Sequence, residues 1–186
     1  MNETNPPAPH YRICNTMQEA ARYGQIARLR ELLPTATPAE RTEALYAAAL
    51  GKHVRCIQLL LDNGADARLA LPYARSVAAL RLLLAAGAEV EVPDTHGRTP
   101  LWHQAAKGKT ERVRLLLSAG ADMHRADAHG VSPLWEALYR NQDAVVVLFM
   151  EHGATPDLRN PAGTPLSAMV LRHRLPRTLM MCGEQG

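Results

Sequence analysis

Residues 94–159 say the same thing twice. Asp94-Thr95-His96-Gly97-Arg98-Thr99-Pro100-Leu101-Trp102 leads to Gly108 and then to Leu115-Leu116-Leu117-Ser118-Ala119-Gly120-Ala121-Asp122. Asp127-Ala128-His129-Gly130-Val131-Ser132-Pro133-Leu134-Trp135 leads to Asn141 and then to Gly153-Ala154-Thr155. Gly97 to Gly130, Pro100 to Pro133 and Gly120 to Gly153 each span 33 residues. A fixed period of this length describes a stacked array, in which one unit cannot bury its apolar face alone and neighbours complete the core.

The residue types explain the unit. Pro100 and Pro133 suit the first turn of a helix, where the missing N–H costs nothing. Thr99 and Ser132 precede them as N-caps. Gly97 and Gly130 lie in the preceding turn, where a positive φ is cheap for glycine. Gly120 and Gly153 follow Leu-rich runs as helix stops. Each unit therefore reads turn, helix, tight loop, helix. The pattern Asp-x-x-Gly-x-Thr/Ser-Pro-Leu, helix, Leu-rich helix, Gly-Ala-Asp resembles the ankyrin repeat, with Trp102 and Trp135 where that family usually has His. The resemblance implies an all-α solenoid of about six helix-turn-helix units, with a truncated third repeat and degenerate capping repeats.

The chain then divides in order. Residues 1–12, with Pro6, Pro7 and Pro9, are expected to be a disordered arm. Repeats are expected at about 13–36, 37–66, 67–93, 94–126, 127–159 and 160–182, with 183–186 as a tail. Thr37-Pro38-Ala39-Glu40 is a strong helix start, with Gly51 read as that helix's stop. Gly64 to Gly87 is only 23 residues. The missing ten must come from the turn and first helix of repeat three, leaving Ala70 to Arg75 for little more than one helical turn and a notch in the array. Pro176 starts a last short helix in which Leu179, Met180 and Met181 either pack back or form a sticky end.

Composition limits the function. Net charge is +3, too small by itself to imply nucleic acid. Three cysteines, Cys14, Cys56 and Cys182, are odd in number and far apart, which favours a reducing compartment over a disulfide framework. No apolar run is long enough to span a membrane, and no signal-type apolar core opens the chain. Arg outnumbers Lys 18 to three, which together with the alanine content points to a GC-rich, bacterial genome.

No phosphate loop, nucleophile elbow or paired-Cys spacing appears. His96 and His129 hold equivalent turns, but stacked helices lie roughly 8–10 Å apart, too far for one zinc to reach both. His103 and Cys56 read as packing residues. Neither an enzyme nor a cofactor or metal is expected.

By resemblance, ankyrin repeats bind proteins through turn tips and the inner ends of first helices. That carries over to Thr95, His96 and Arg98, then to His129 and Val131, to Lys107, Tyr139 and Arg140, and to Arg125 and Arg159 beside the turns. The residues themselves are mostly long and polar or charged, and five are basic. They predict a basic, Tyr-containing concave face over repeats four and five, suited to an acidic protein surface. The expected protein is a cytoplasmic monomer of the inhibitor or immunity type. The alternative is a secreted effector capturing a host protein. Nucleic acid is disfavoured for want of interleaved aromatics.

Overall fold

The computed structural model describes residues 16–155, 158–160 and 162–183, with side chains up to residue 180. The arm at 1–12 and the tail beyond 183 lie outside the described residues. The described chain is helical, with one isolated antiparallel bridge, Arg159 to Pro165. Two compact units divide it, one ending at Asp66 and the other beginning at Ala67.

The first unit holds α1 (Met17–Arg22), α2 (Ile26–Leu32), α3 (Pro38–Gly51) and α4 (Val54–Asp62). α1 packs on α3. Ala20, Ala21, Ala44, Ala48 and Ala49 are buried with no exposed surface, so small side chains let the backbones approach closely. Thr37 and Glu40 form the full capping box, Thr37 Oγ1 accepting from Glu40 N–H at 3.2 Å and Glu40 Oε2 from Thr37 N–H at 2.8 Å.

Gly51 is not the stop that its position suggests. It is the last residue of α3, and Lys52 takes the left-handed conformation, φ 66°. Gly51 is needed for space: a Cβ there would lie 2.5 Å from the Arg22 carbonyl oxygen and 2.6 Å from the His53 ring.

The second unit opens on the truncated repeat. Its first helix is a single 3-10 turn, Leu71–Tyr73, followed by α5 (Val77–Ala85) capped by Ser76. Arg112 reaches back from a later helix and donates Nη2 to the Ala74 carbonyl just after that turn. Then come the full repeats, α6 (Pro100–Ala106) with α7 (Thr110–Ser118), and α8 (Pro133–Tyr139) with α9 (Asp143–Glu151). α10 (Leu166–His173) and α11 (Pro176–Gly183) end the described chain. First helices pack on first helices (α6 on α8, α8 on α10) and second on second (α5 on α7, α7 on α9, α9 on α11). Leu101, Leu116, Leu134, Leu138, Leu148 and Phe149 fill the core between them.

Thr99 caps α6 as expected, accepting from Trp102 N–H at 3.2 Å. Ser132 has the cap backbone geometry but makes no side-chain cap bond. Pro165 occupies the cap position of α10 rather than its first turn, one position earlier than the prolines of the full repeats. In the last helix Thr178 is wholly buried, whereas Met180 is 73 % exposed, so only one side of α11 packs back.

Candidate functional site

The turns that precede α6 and α8 are built on a carboxylate. Asp94 Oδ1 accepts from the backbone N–H groups of His96 and Arg98 at 2.8 and 3.0 Å, and Asp127 Oδ1 from those of His129 and Val131 at 2.9 and 3.0 Å. Asn160 repeats the device, its Oδ1 accepting from Thr164 N–H at 2.9 Å. Gly97, at φ 76°, serves conformation and space at once: a Cβ would lie 3.1 Å from Ala128 N. That close approach lets Ala128 N–H donate to the His96 carbonyl at 2.9 Å, joining the two tips backbone to backbone. Thr95, His96 and His129 are exposed along the joined tips, with Val131 half-buried behind them.

Arg98 is placed differently from its neighbours. Its guanidinium carbon lies 4.6 Å from the centroid of the Trp102 ring, and its Nε is 3.8 Å from the Asp127 carboxylate of the next repeat. It is a half-buried bridge between repeats as well as a tip residue. Trp102 adds a second bridge, donating Nε1–H to the Val131 carbonyl at 3.2 Å while its ring stays buried. His103 packs edge-on to Trp102 and bonds Asp94 Oδ2 through Nε2 at 2.9 Å. Partial desolvation works to raise the pKa of Asp94. It is outweighed by the Arg98 and His96 N–H groups and the His103 ring, which hold the carboxyl below its ordinary range.

The other predicted residues fall into two places. Arg125 is exposed and pairs with Glu91 at 3.1 Å, while the second oxygen of Glu91 accepts from Asp122 N–H. Arg159 donates to the Gly163 carbonyl at 2.7 Å within the last turn. Lys107, Tyr139 and Arg140 lie at the far ends of α6 and α8, about 10 Å from the tips along helices of seven residues at about 1.5 Å per residue. Tyr139 is 41 % exposed, and its Oη accepts from Asn160 Nδ2 at 3.3 Å. Arg140 bonds Glu136 at 2.7 Å yet keeps 60 % of its side chain exposed.

The residues expected on the basic, Tyr-containing face lie in two rows, one of tips and one of helix ends. Arg98, Arg125 and Arg140 each face a carboxylate. Sequence reasoning counted the arginines but missed Asp127, Glu91 and Glu136 as their partners. Recurrence of Asp at 94 and 127 was the available signal. Sequence reasoning also missed a groove of 600 Å³ on the first unit, lined by α1 and α3, because those repeats lack the Thr-Pro-Leu turn.

Among the described residues no three His, Cys, Asp or Glu side chains cluster as metal ligands would, and no helix is long and apolar enough to cross a membrane. Paired helices stacked first on first and second on second, with tips joined by backbone bonds, define an all-α repeat scaffold. A family model described as ankyrin repeats (3 copies) matches residues 69–160, and one described as ankyrin repeat matches residues 44–71. The chain belongs to the ankyrin-repeat family, whose repeats are protein-interaction modules and a typically non-catalytic scaffold. Among solved structures, it is similar to an ankyrin repeat domain from Acinetobacter baumannii AYE, with a TM-score of 0.75 and 23 % identity over 90 % of this chain and 97 % of that one. That likeness is one of fold. No curated protein matches.

Proposed function

We propose that this chain is a non-catalytic module that captures one protein partner through the tips and helix ends of repeats four and five, as an inhibitor or immunity-type protein does. The observation that carries it is the Ala128 N–H to His96 carbonyl bond. It fixes neighbouring tips as one ledge, so Thr95, His96 and His129 meet a partner without first being ordered. Tyr139 supplies an aromatic anchor, with a phenol bonded to Asn160 and a ring edge in water. Lys107 is exposed and Arg140 keeps its guanidinium largely in solvent, which favours a partner presenting carboxylates. Such an arrangement steers encounter more than it adds affinity.

The test is capture from a lysate of the source organism by wild type and by a Lys107→Glu, Tyr139→Ala, Arg140→Glu variant. Arg98 is left intact, because its stacking on Trp102 would confuse binding with folding. A protein retained by wild type and released by the folded variant supports this surface. A protein retained equally by both refutes it. A neighbouring toxin gene would favour the inhibitor over an effector.

A further inference from the structure

The first helices of the second unit end on one pattern, written three times. Leu101, Leu134 and Leu166 anchor α6, α8 and α10 in the core with no exposed surface. Five residues after each comes an apolar side chain, Ala106, Tyr139 or Leu171, and directly after it a cation, Lys107, Arg140 or Arg172. Ala106 is half-buried, Tyr139 is 41 % exposed and Leu171 is 64 % exposed. Because α6 packs on α8 and α8 on α10, equivalent positions line up as one row, an apolar site beside a cationic site in each repeat. Side chains tie the row together: Gln142 Nε2 reaches the Ala106 carbonyl at 3.5 Å, and His173 Nδ1 bonds Asn141 Oδ1 at 2.7 Å. Lys107 and Arg172 are exposed. Arg140 keeps 60 % of its side chain exposed beside Glu136, whose own side chain is only 11 % exposed. The sequence holds no acidic residue between Asp157 and Glu184, so no carboxylate close in sequence offsets Arg172.

We infer that this row binds an extended acidic segment of a partner protein, one carrying an apolar residue followed by Asp or Glu once every three residues. Stacked helices lie about 8–10 Å apart. A polyproline II segment returns the same face every three residues, about 9 Å. Its apolar residues then meet Ala106, Tyr139 and Leu171, its carboxylates meet Lys107, Arg140 and Arg172, and every third residue faces water. A β-strand returns each face every two residues, about 7 Å, out of step with the row. A partner helix returns a face every seven residues, about 10 Å, but carries an apolar stripe about 100° wide, which one exposed apolar side chain per repeat does not cover. A second copy of the chain would set cation against cation. The inference rests on the reading that these helix ends meet a partner; it adds Leu171 and Arg172 to them and names the spacing of the partner's side chains.

The experiment is a titration of the full-length, nitrogen-15-labelled chain with a blocked nonapeptide, Leu-Asp-Pro three times over. Saturable shifts of the amides of 106–108, 139–141 and 171–173 are expected. A blocked peptide of the same composition with its three aspartates adjacent should bind about tenfold more weakly, the size of one charge-assisted hydrogen bond lost. Leu171→Ser with Arg172→Ser, both at exposed positions, should weaken the periodic peptide by a similar factor and leave the shifts at the other two helix ends. Arg172→Ser alone gives a smaller loss in the same direction. Absent shifts, equal binding of both peptides, tighter binding of a helical peptide carrying Leu-Asp every seven residues, or binding unchanged by the double substitution would overturn the inference. Lysate capture tests the underlying reading separately: a protein released by the Lys107→Glu, Tyr139→Ala, Arg140→Glu variant, while the periodic peptide causes no shift, overturns the spacing and leaves that reading standing.

Discussion

Replacing Asp143 with alanine should release the last helix without unfolding the rest. Asp143 stands in the first turn of α9, and its carboxylate caps α11 from outside: it accepts from the N–H groups of Arg177 and Thr178 at 2.9 and 3.0 Å and from the Thr178 hydroxyl at 2.7 Å. Loss of an N-cap costs about 1 kcal/mol, and a buried hydroxyl left unpaired about 1–3 kcal/mol. Thr178 has no exposed surface, so both costs apply in part, and about 2 kcal/mol is a fair total. In a repeat array that cost falls on the terminal unit. Two kcal/mol is about 30-fold in an opening equilibrium. Hydrogen exchange read by mass spectrometry should show residues 177–183 exchanging about 30-fold faster, with α6 to α9 unchanged. Burial works to raise the Asp143 pKa, but the Thr178 hydroxyl and the two N–H groups outweigh it and hold it below the ordinary aspartate range. The cap's contribution is therefore present above the ordinary range and is lost as pH falls through the depressed value. The wild-type and Asp143→Ala exchange rates should converge in acid. Unchanged exchange of α11, or equal acceleration throughout the second unit, would refute this capping role.

Gly51→Ala should lower the melting temperature more than Gly64→Ala. At 51 the new Cβ meets backbone and ring at 2.5–2.6 Å, whereas at 64 it meets nothing within 4 Å and costs only the strain of φ 80°, about 1–2 kcal/mol. Trp102→Phe should cost about 1–2 kcal/mol in a denaturant melt, because the Val131 carbonyl loses its donor and Arg98 its better ring. Asp94→Asn should destabilise at neutral pH, with the gap to wild type closing in acid as the depressed Asp94 carboxylate of wild type takes up its proton. Cys56 should resist alkylation in the folded chain, since burial raises its thiol pKa and leaves it 1 % exposed; rapid labelling seen by peptide mass would contradict that.

Much of this was legible because local signals and the period agree. The 33-residue echo placed α6 to α9, Thr37 and Glu40 announced α3, and a 23-residue interval between Gly64 and Gly87 foretold that repeat three keeps a single turn. Other features depend on distances that no local pattern carries. Gly51 is a glycine because of the Arg22 carbonyl, in another helix. The cationic face looked stronger in the sequence because Arg98 and Arg125 find their carboxylates 29 and 34 residues away. The groove of α1 and α3 left no motif, since most of its lining residues are ones that neither helix buries.

A hydrogen-exchange footprint of the chain bound to a captured partner tests the binding surface most directly. Protection is expected at the tips, 95–98 and 128–131, and at the helix ends, 106–107 and 139–140. Protection confined to α7 and α9, or to the exposed Leu171 and Met180 at the end of the array, would contradict it.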